Sequence, residues 1–139
     1  MKFKNIIVSD YNKIFDLIKK KDDSIKIFLL SGQVGSGKTT MIKSFTKKLS
    51  VNNNTSSPTF NIVNEYKDRN KNSVYHFDLY RLKSINDLVE IGFEEYINSG
   101  NYCFIEWPEI ADSFFIDKYI SISILIKSKN SRDVEVTFH

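Results

Sequence analysis

Apolar and polar positions alternate along the chain in short blocks that predict interleaved helices and strands. Ser9 or Asp10 is placed to cap a helix running to about Lys20, with Ile14, Phe15, Leu17 and Ile18 on its apolar side. Residues 25–30 form a nearly continuous apolar run, the pattern of a strand buried on both faces. A glycine-rich turn follows. Then comes a predicted helix from about Lys38 to Leu49, carrying Met41, Ile42, Phe45 and Leu49 at helical spacing. Residues 60–66 and 74–80 predict two strands, and the polar stretches 52–57 and 67–73 predict loops. Ser84, with Asp87 three residues on, predicts the start of a helix carrying Leu88, Ile91, Phe93 and Ile97 and stopped by Gly100. Residues 102–105 predict another buried strand. Residues 119–126 alternate Ile120, Ile122, Ile124 and Ile126 inward, and residues 134–138 pair with them as a hairpin. Helices mixed with buried strands predict an α/β fold with one central sheet.

Composition narrows the class without naming a function. The 139 residues suit one domain, and 41% hydrophobic with 27% charged residues is the balance of a folded globular chain. No apolar run approaches the ~18 residues that a membrane span needs, and the N-terminal residues lack the apolar core of a signal peptide. The single cysteine, Cys103, cannot form an internal disulfide or a multi-cysteine zinc site, and it falls inside a predicted buried strand. The expectation is a reduced, cytoplasmic, single-domain protein. Net charge is +3, but the basic residues are scattered among acids rather than gathered in a stripe, so charge makes no case for nucleic-acid binding.

The candidate chemistry begins at the glycine-rich turn. Gly32-Gln33-Val34-Gly35-Ser36-Gly37-Lys38-Thr39 matches G-x-x-x-x-G-K-[ST] in full, between a predicted strand and a predicted helix. Backbone N–H groups of such a loop turn inward to cradle phosphate oxygens, and the helix presents its positive N-terminal end to them. Lys38 adds a charge at the β- and γ-phosphates, and the Thr39 hydroxyl is a ligand for Mg²⁺. These residues, with Thr40 after them, are the predicted nucleotide-binding set. The fold is therefore expected to be a P-loop NTPase-like domain with a central mixed β-sheet flanked by helices. The Asn-Lys-x-Asp tetrapeptide that reads guanine is absent, which makes ATP the expected nucleotide. Two predicted strands end in an acid, Asp78 and Glu106, each a candidate for the carboxylate that such sites place near the metal.

Several further blocks stand in order along the chain: Ser57-Pro58-Thr59-Phe60, His76-Phe77-Asp78-Leu79-Tyr80-Arg81-Leu82, Gly92-Phe93 with Glu95-Tyr96, and Ile105-Glu106-Trp107-Pro108-Glu109. From about Ile27 to Glu109 their order and spacing resemble the bacterial TsaE family, P-loop ATPases of tRNA threonylcarbamoyladenosine biosynthesis. The resemblance implies ATP and Mg²⁺ as cofactors, with Glu106 and Thr39 at the metal. Lys38, Asp78, Glu106 and Thr59 would be the catalytic set, Thr59 lying on a switch-like loop over the γ-phosphate and Asp78 orienting or deprotonating the attacking water. Trp107 contacts nucleotide or simply packs; Arg81 stabilises transferred charge or makes a surface ion pair; His76 is structural. The resemblance also implies TsaB and TsaD as partners, with tRNA reached through them. Two other readings stay open: a small nucleoside or metabolite kinase, and a non-catalytic nucleotide-sensing or RNA-binding module. Against the kinase stand only three arginines, Arg69, Arg81 and Arg132, and no segment long enough for a lid.

Overall fold

The middle of the sheet is the apolar run of residues 27–31, and its alternation decides where the layers go. In this computed structural model, which describes residues 1–51, 58 and 62–139, it is β2 (Ile27–Ser31). Phe28 and Leu30 point to one face of the sheet and Leu29 to the other, and all three are buried. The remaining elements, in chain order, are β1 (Lys2–Ile6), α1 (Tyr11–Lys21), α2 (Lys38–Lys48), β3 (Val63–Lys67), β4 (Ser73–Asp78), α3 (Ile85–Glu90), α4 (Phe93–Ile97), β5 (Tyr102–Glu106), β6 (Ile120–Ile126) and β7 (Arg132–Phe138). Among the described residues the sheet has seven strands in the order β1-β7-β6-β2-β5-β4-β3. The four inner strands β6, β2, β5 and β4 run parallel, while β7 and β1 on one side and β3 on the other add antiparallel edges. The α/β expectation with a mixed sheet holds.

Both faces are covered, as parallel strands require. On one face α1 and α2 place Ile14, Phe15, Ile18, Met41, Ile42 and Phe45 against Phe28, Leu30, Phe104 and the inward isoleucines of β6. Phe15 and Phe45 lie 4.7 Å apart, and Phe28 and Phe104 5.1 Å, so an aromatic cluster joins helix to sheet. On the other face Leu88, Phe93 and Ala111 pack over Leu29, Phe77 and Ile105. Burying the sheet on both sides leaves its strand ends as the place where side chains from several elements meet.

Four details differ from the pattern-based expectation. The predicted helix after Ser84 is two short helices, because Gly92 adopts φ +72° and breaks the hydrogen-bond ladder between them. Leu17, expected on the apolar side of α1, is 45% exposed, since Ile14, Phe15 and Ile18 already fill that stripe. Ile126 is exposed at the end of β6, past the reach of the covering helices. The apolar pattern gives no sign of β1. Its residues Lys2, Lys4 and Asn5 are exposed, so this edge strand has little apolar signal and is held by backbone pairing to β7.

Candidate functional site

Where β2 ends, the chain turns through residues 32–37 and enters α2. Two glycines make that path possible. A Cβ on Gly32 (φ +153°) would lie 2.6 Å from the Ile124 carbonyl oxygen and from Ser36 Oγ, closer than real atoms approach. Gly37, at φ +106°, carries the chain into the helix through a conformation that side-chain-bearing residues rarely adopt. The turn closes on itself where the Ser36 N–H donates to the Gln33 carbonyl at 3.0 Å. Ser36 is buried, and Val34 stands 75% exposed at the tip. Gly35, Gly37 and Thr40 line a groove of about 450 Å³ together with Ile7, Tyr11 and Arg132.

Lys38, the first residue of α2, is only 5% exposed. Its Nζ donates to the Gly32 and Gln33 carbonyls at 2.7 and 3.1 Å, arching back over the loop. The same ammonium sits 4.2 Å from the centre of the Trp107 ring. Burial pushes the Lys38 pKa below its ordinary value, and the negative charges of Glu106, Asp78 and Glu109 oppose that shift. Trp107 reaches this position because it follows β5 in a left-handed turn, φ +56°, held by its N–H donating to the Leu30 carbonyl at 3.3 Å. Its ring also packs against Tyr80, 4.8 Å between centroids. Trp107 thus packs directly on the loop lysine.

Glu106 ends β5 and is 3% exposed. The Thr39 hydroxyl lies 2.9 and 3.0 Å from its two carboxylate oxygens, so the helix after the loop and the neighbouring strand meet at this pair. His76, fully buried on β4, places Nε2 2.6 Å from Glu106 Oε2, while its Nδ1 has no hydrogen-bond partner among the described residues. A buried carboxylate is costly unless its oxygens accept hydrogen bonds, and Thr39 and His76 supply them. His76→Phe is therefore expected to destabilise the fold by about 2 kcal/mol, the scale of a hydrogen bond to a charged group. His76→Gln, which keeps a donor, is expected to recover part of that loss; urea unfolding of both variants measures it.

Asp78 closes β4 and lies in register beside Glu106, with its Oδ1 accepting the Tyr80 N–H at 3.1 Å. Lys38, Thr39, Asp78, Glu106 and Trp107 are thus gathered at one end of the parallel strands. Thr59, with Ser57 and Phe60 of the same predicted switch-like segment, lies outside the described residues. Arg81 is exposed just past β4. Cys103 is buried on β5, and burial pushes its thiol up to about 12, so it is an inert core group. The Thr39 and Glu106 oxygens are hard donors at the mouth of the phosphate loop, a set that suits Mg²⁺ held by few protein oxygens and completed by phosphate and water.

One residue at the site had no sequence signal. Arg132, at the start of β7, donates from Nε to the Ser36 carbonyl at 2.7 Å and from Nη2 to the Gly35 carbonyl at 3.3 Å. It is 96 positions from Ser36, and nothing in the residues around it marks it as a partner of the loop.

Comparisons with known proteins match the chain over most of its length. The family model described as "Threonylcarbamoyl adenosine biosynthesis protein TsaE" matches residues 8–134. A tRNA threonylcarbamoyladenosine biosynthesis protein TsaE from Rickettsia felis is 37% identical over 131 residues, covering 91% of this chain and 75% of that protein. The protein of the same name from Bacillus subtilis is 31% identical over 112 residues, covering 81% of this chain and 68% of that protein. In fold, the chain is similar to the crystal structure of Bacillus subtilis YdiB, with a TM-score of 0.72 and 22% identity over 99% of this chain and 84% of that one.

Proposed function

Because the chain belongs to the TsaE family of threonylcarbamoyl adenosine biosynthesis proteins, we propose that it is a single-domain ATP-binding and ATP-hydrolysing accessory subunit of the tRNA threonylcarbamoyladenosine machinery. It works with TsaB–TsaD in the cytoplasm and reaches tRNA through them. The observation that carries the ATPase reading is the Thr39–Glu106 pair. A phosphate loop alone binds phosphate, but a loop whose helix meets a buried strand-end carboxylate also has a place for the metal that hydrolysis uses. Mg²⁺ bound there supplies charge neutralisation of the phosphates. Thr39 and Glu106 hold it, Lys38 faces the β- and γ-phosphates, and the loop N–H groups and the N-terminal end of α2 cradle them. The groove beside Thr40 takes the nucleoside. Asp78, next to Glu106 in register, orients the attacking water, and Thr59 closes over the γ-phosphate.

No sequence feature supplies a substrate pocket beyond the nucleotide loop, which favours activation by a partner over independent turnover. The isolated protein is expected to hydrolyse ATP slowly, and addition of TsaB and TsaD to accelerate it, with co-elution that depends on ATP. Steady-state phosphate release and a pull-down with and without nucleotide measure both. Rapid hydrolysis that TsaB–TsaD leaves unchanged sinks the accessory-subunit reading and favours an independent enzyme.

A further inference from the structure

The phosphate loop has an inside and an outside, and the outside is held from a distant strand. A loop that turns its N–H groups inward must turn carbonyls outward, and those carbonyls need donors of their own. The Gly32 and Gln33 carbonyls accept from Lys38 Nζ, which stands on the phosphate side of the loop. Farther along the loop, the Gly35 and Ser36 carbonyls accept from Arg132, which reaches them from β7. The far side of the same guanidinium is also engaged: Nη1 donates at 2.9 Å to both the Ser128 and Ser131 carbonyls of the turn between β6 and β7. That turn is itself closed by the Ser131 carbonyl accepting from Lys127 N–H at 3.1 Å and Ser128 N–H at 3.2 Å. A planar fork is the one side chain whose geometry can span two adjacent carbonyls on one edge and two more on another.

We infer that Arg132 is a positioning residue for nucleotide binding: it fixes the outer face of the phosphate loop and so sets the inward N–H groups for the β-phosphate. The inference rests on the proposal that this loop holds a nucleotide. Two physical effects act together. Donation to the Ser36 carbonyl polarises the peptide shared with Gly37, making the Gly37 N–H a stronger donor to an anion. The guanidinium also places a permanent positive charge directly behind the loop, close enough to oppose the burial-driven rise of the Tyr11 pKa at the groove wall.

The test is competition binding of ATP, ADP and AMP to the full-length protein and its Arg132→Ala and Arg132→Lys variants, with melting temperatures alongside. Arg132→Ala is expected to weaken ATP and ADP by about tenfold, the scale of a charged hydrogen-bond set, and AMP by much less, because AMP lacks the β-phosphate. Arg132→Lys keeps the charge and the stem but not the fork, and is expected to recover only a minor part. Millimolar guanidinium added to the alanine variant is expected to restore ADP binding, which a merely structural loss does not allow. A folded lysine or alanine variant with wild-type ADP affinity overturns the inference, as does an equal loss for AMP, which would mean that Arg132, itself one of the groove's lining residues, acts on the nucleoside rather than through the loop. If the alanine variant does not fold, the lysine variant decides by the same readout. Wild-type protein that binds no nucleotide at all removes the premise, and the inference falls with it.

Discussion

Lys38→Ala will lower ATP binding or hydrolysis by roughly 10²-fold or more, the usual scale for losing one preorganised charge in a site of this kind. The structure sharpens the reason. Lys38 Nζ is held over the loop by the Gly32 and Gln33 carbonyls and by the face of Trp107, so its charge is already in place before a phosphate arrives. Its burial, which disfavours the ammonium, is only partly opposed by Glu106, Asp78 and Glu109, and a bound phosphate adds to that support. The fold is expected to survive, because the lysine touches loop carbonyls and an indole rather than the packed faces of the sheet. ATP binding by titration and a thermal melt on the same variant check both halves. A variant with wild-type ATPase and an unchanged melt would remove the phosphate loop from the mechanism.

Glu106→Gln and Asp78→Asn are expected to fail in different ways. Glu106 is buried, shares both carboxylate oxygens with the Thr39 hydroxyl and is pinned by His76. Glutamine keeps the shape and one acceptor oxygen but loses the charge that a cation needs. The Mg²⁺ dependence of ATP binding is therefore expected to weaken along with turnover. Asp78 stands one strand farther from the loop, at the end of β4. Asp78→Asn is expected to leave Mg-ATP binding nearly intact and to lower turnover by roughly 10²-fold, the low end for losing a group that handles a proton in the transition state. Titrating Mg²⁺ against ATP binding in both variants separates the roles. The reverse pattern swaps the two assignments, and no effect in either moves the site elsewhere.

What was legible from the residues alone was whatever the chain builds from contiguous positions. The strand–loop–helix at residues 27–48, the acid at the end of an apolar run at Glu106, and the α/β class all follow from local periodicity and from backbone freedom at Gly32 and Gly37. What needed the tertiary structure was everything set by strand order. β5 lies beside β2 although five elements separate them along the chain, and that adjacency alone brings Glu106 to Thr39. β4 next to β5 pairs His76 with Glu106, which turns a residue predicted to be merely structural into the partner of the candidate metal carboxylate. The hairpin of β6 and β7 carries Arg132 to the outer face of the phosphate loop. Local sequence records which residues prefer a strand or a turn, but not which strands become neighbours. Neighbours are chosen by burying both faces of one sheet at once, and that is a property of the whole chain.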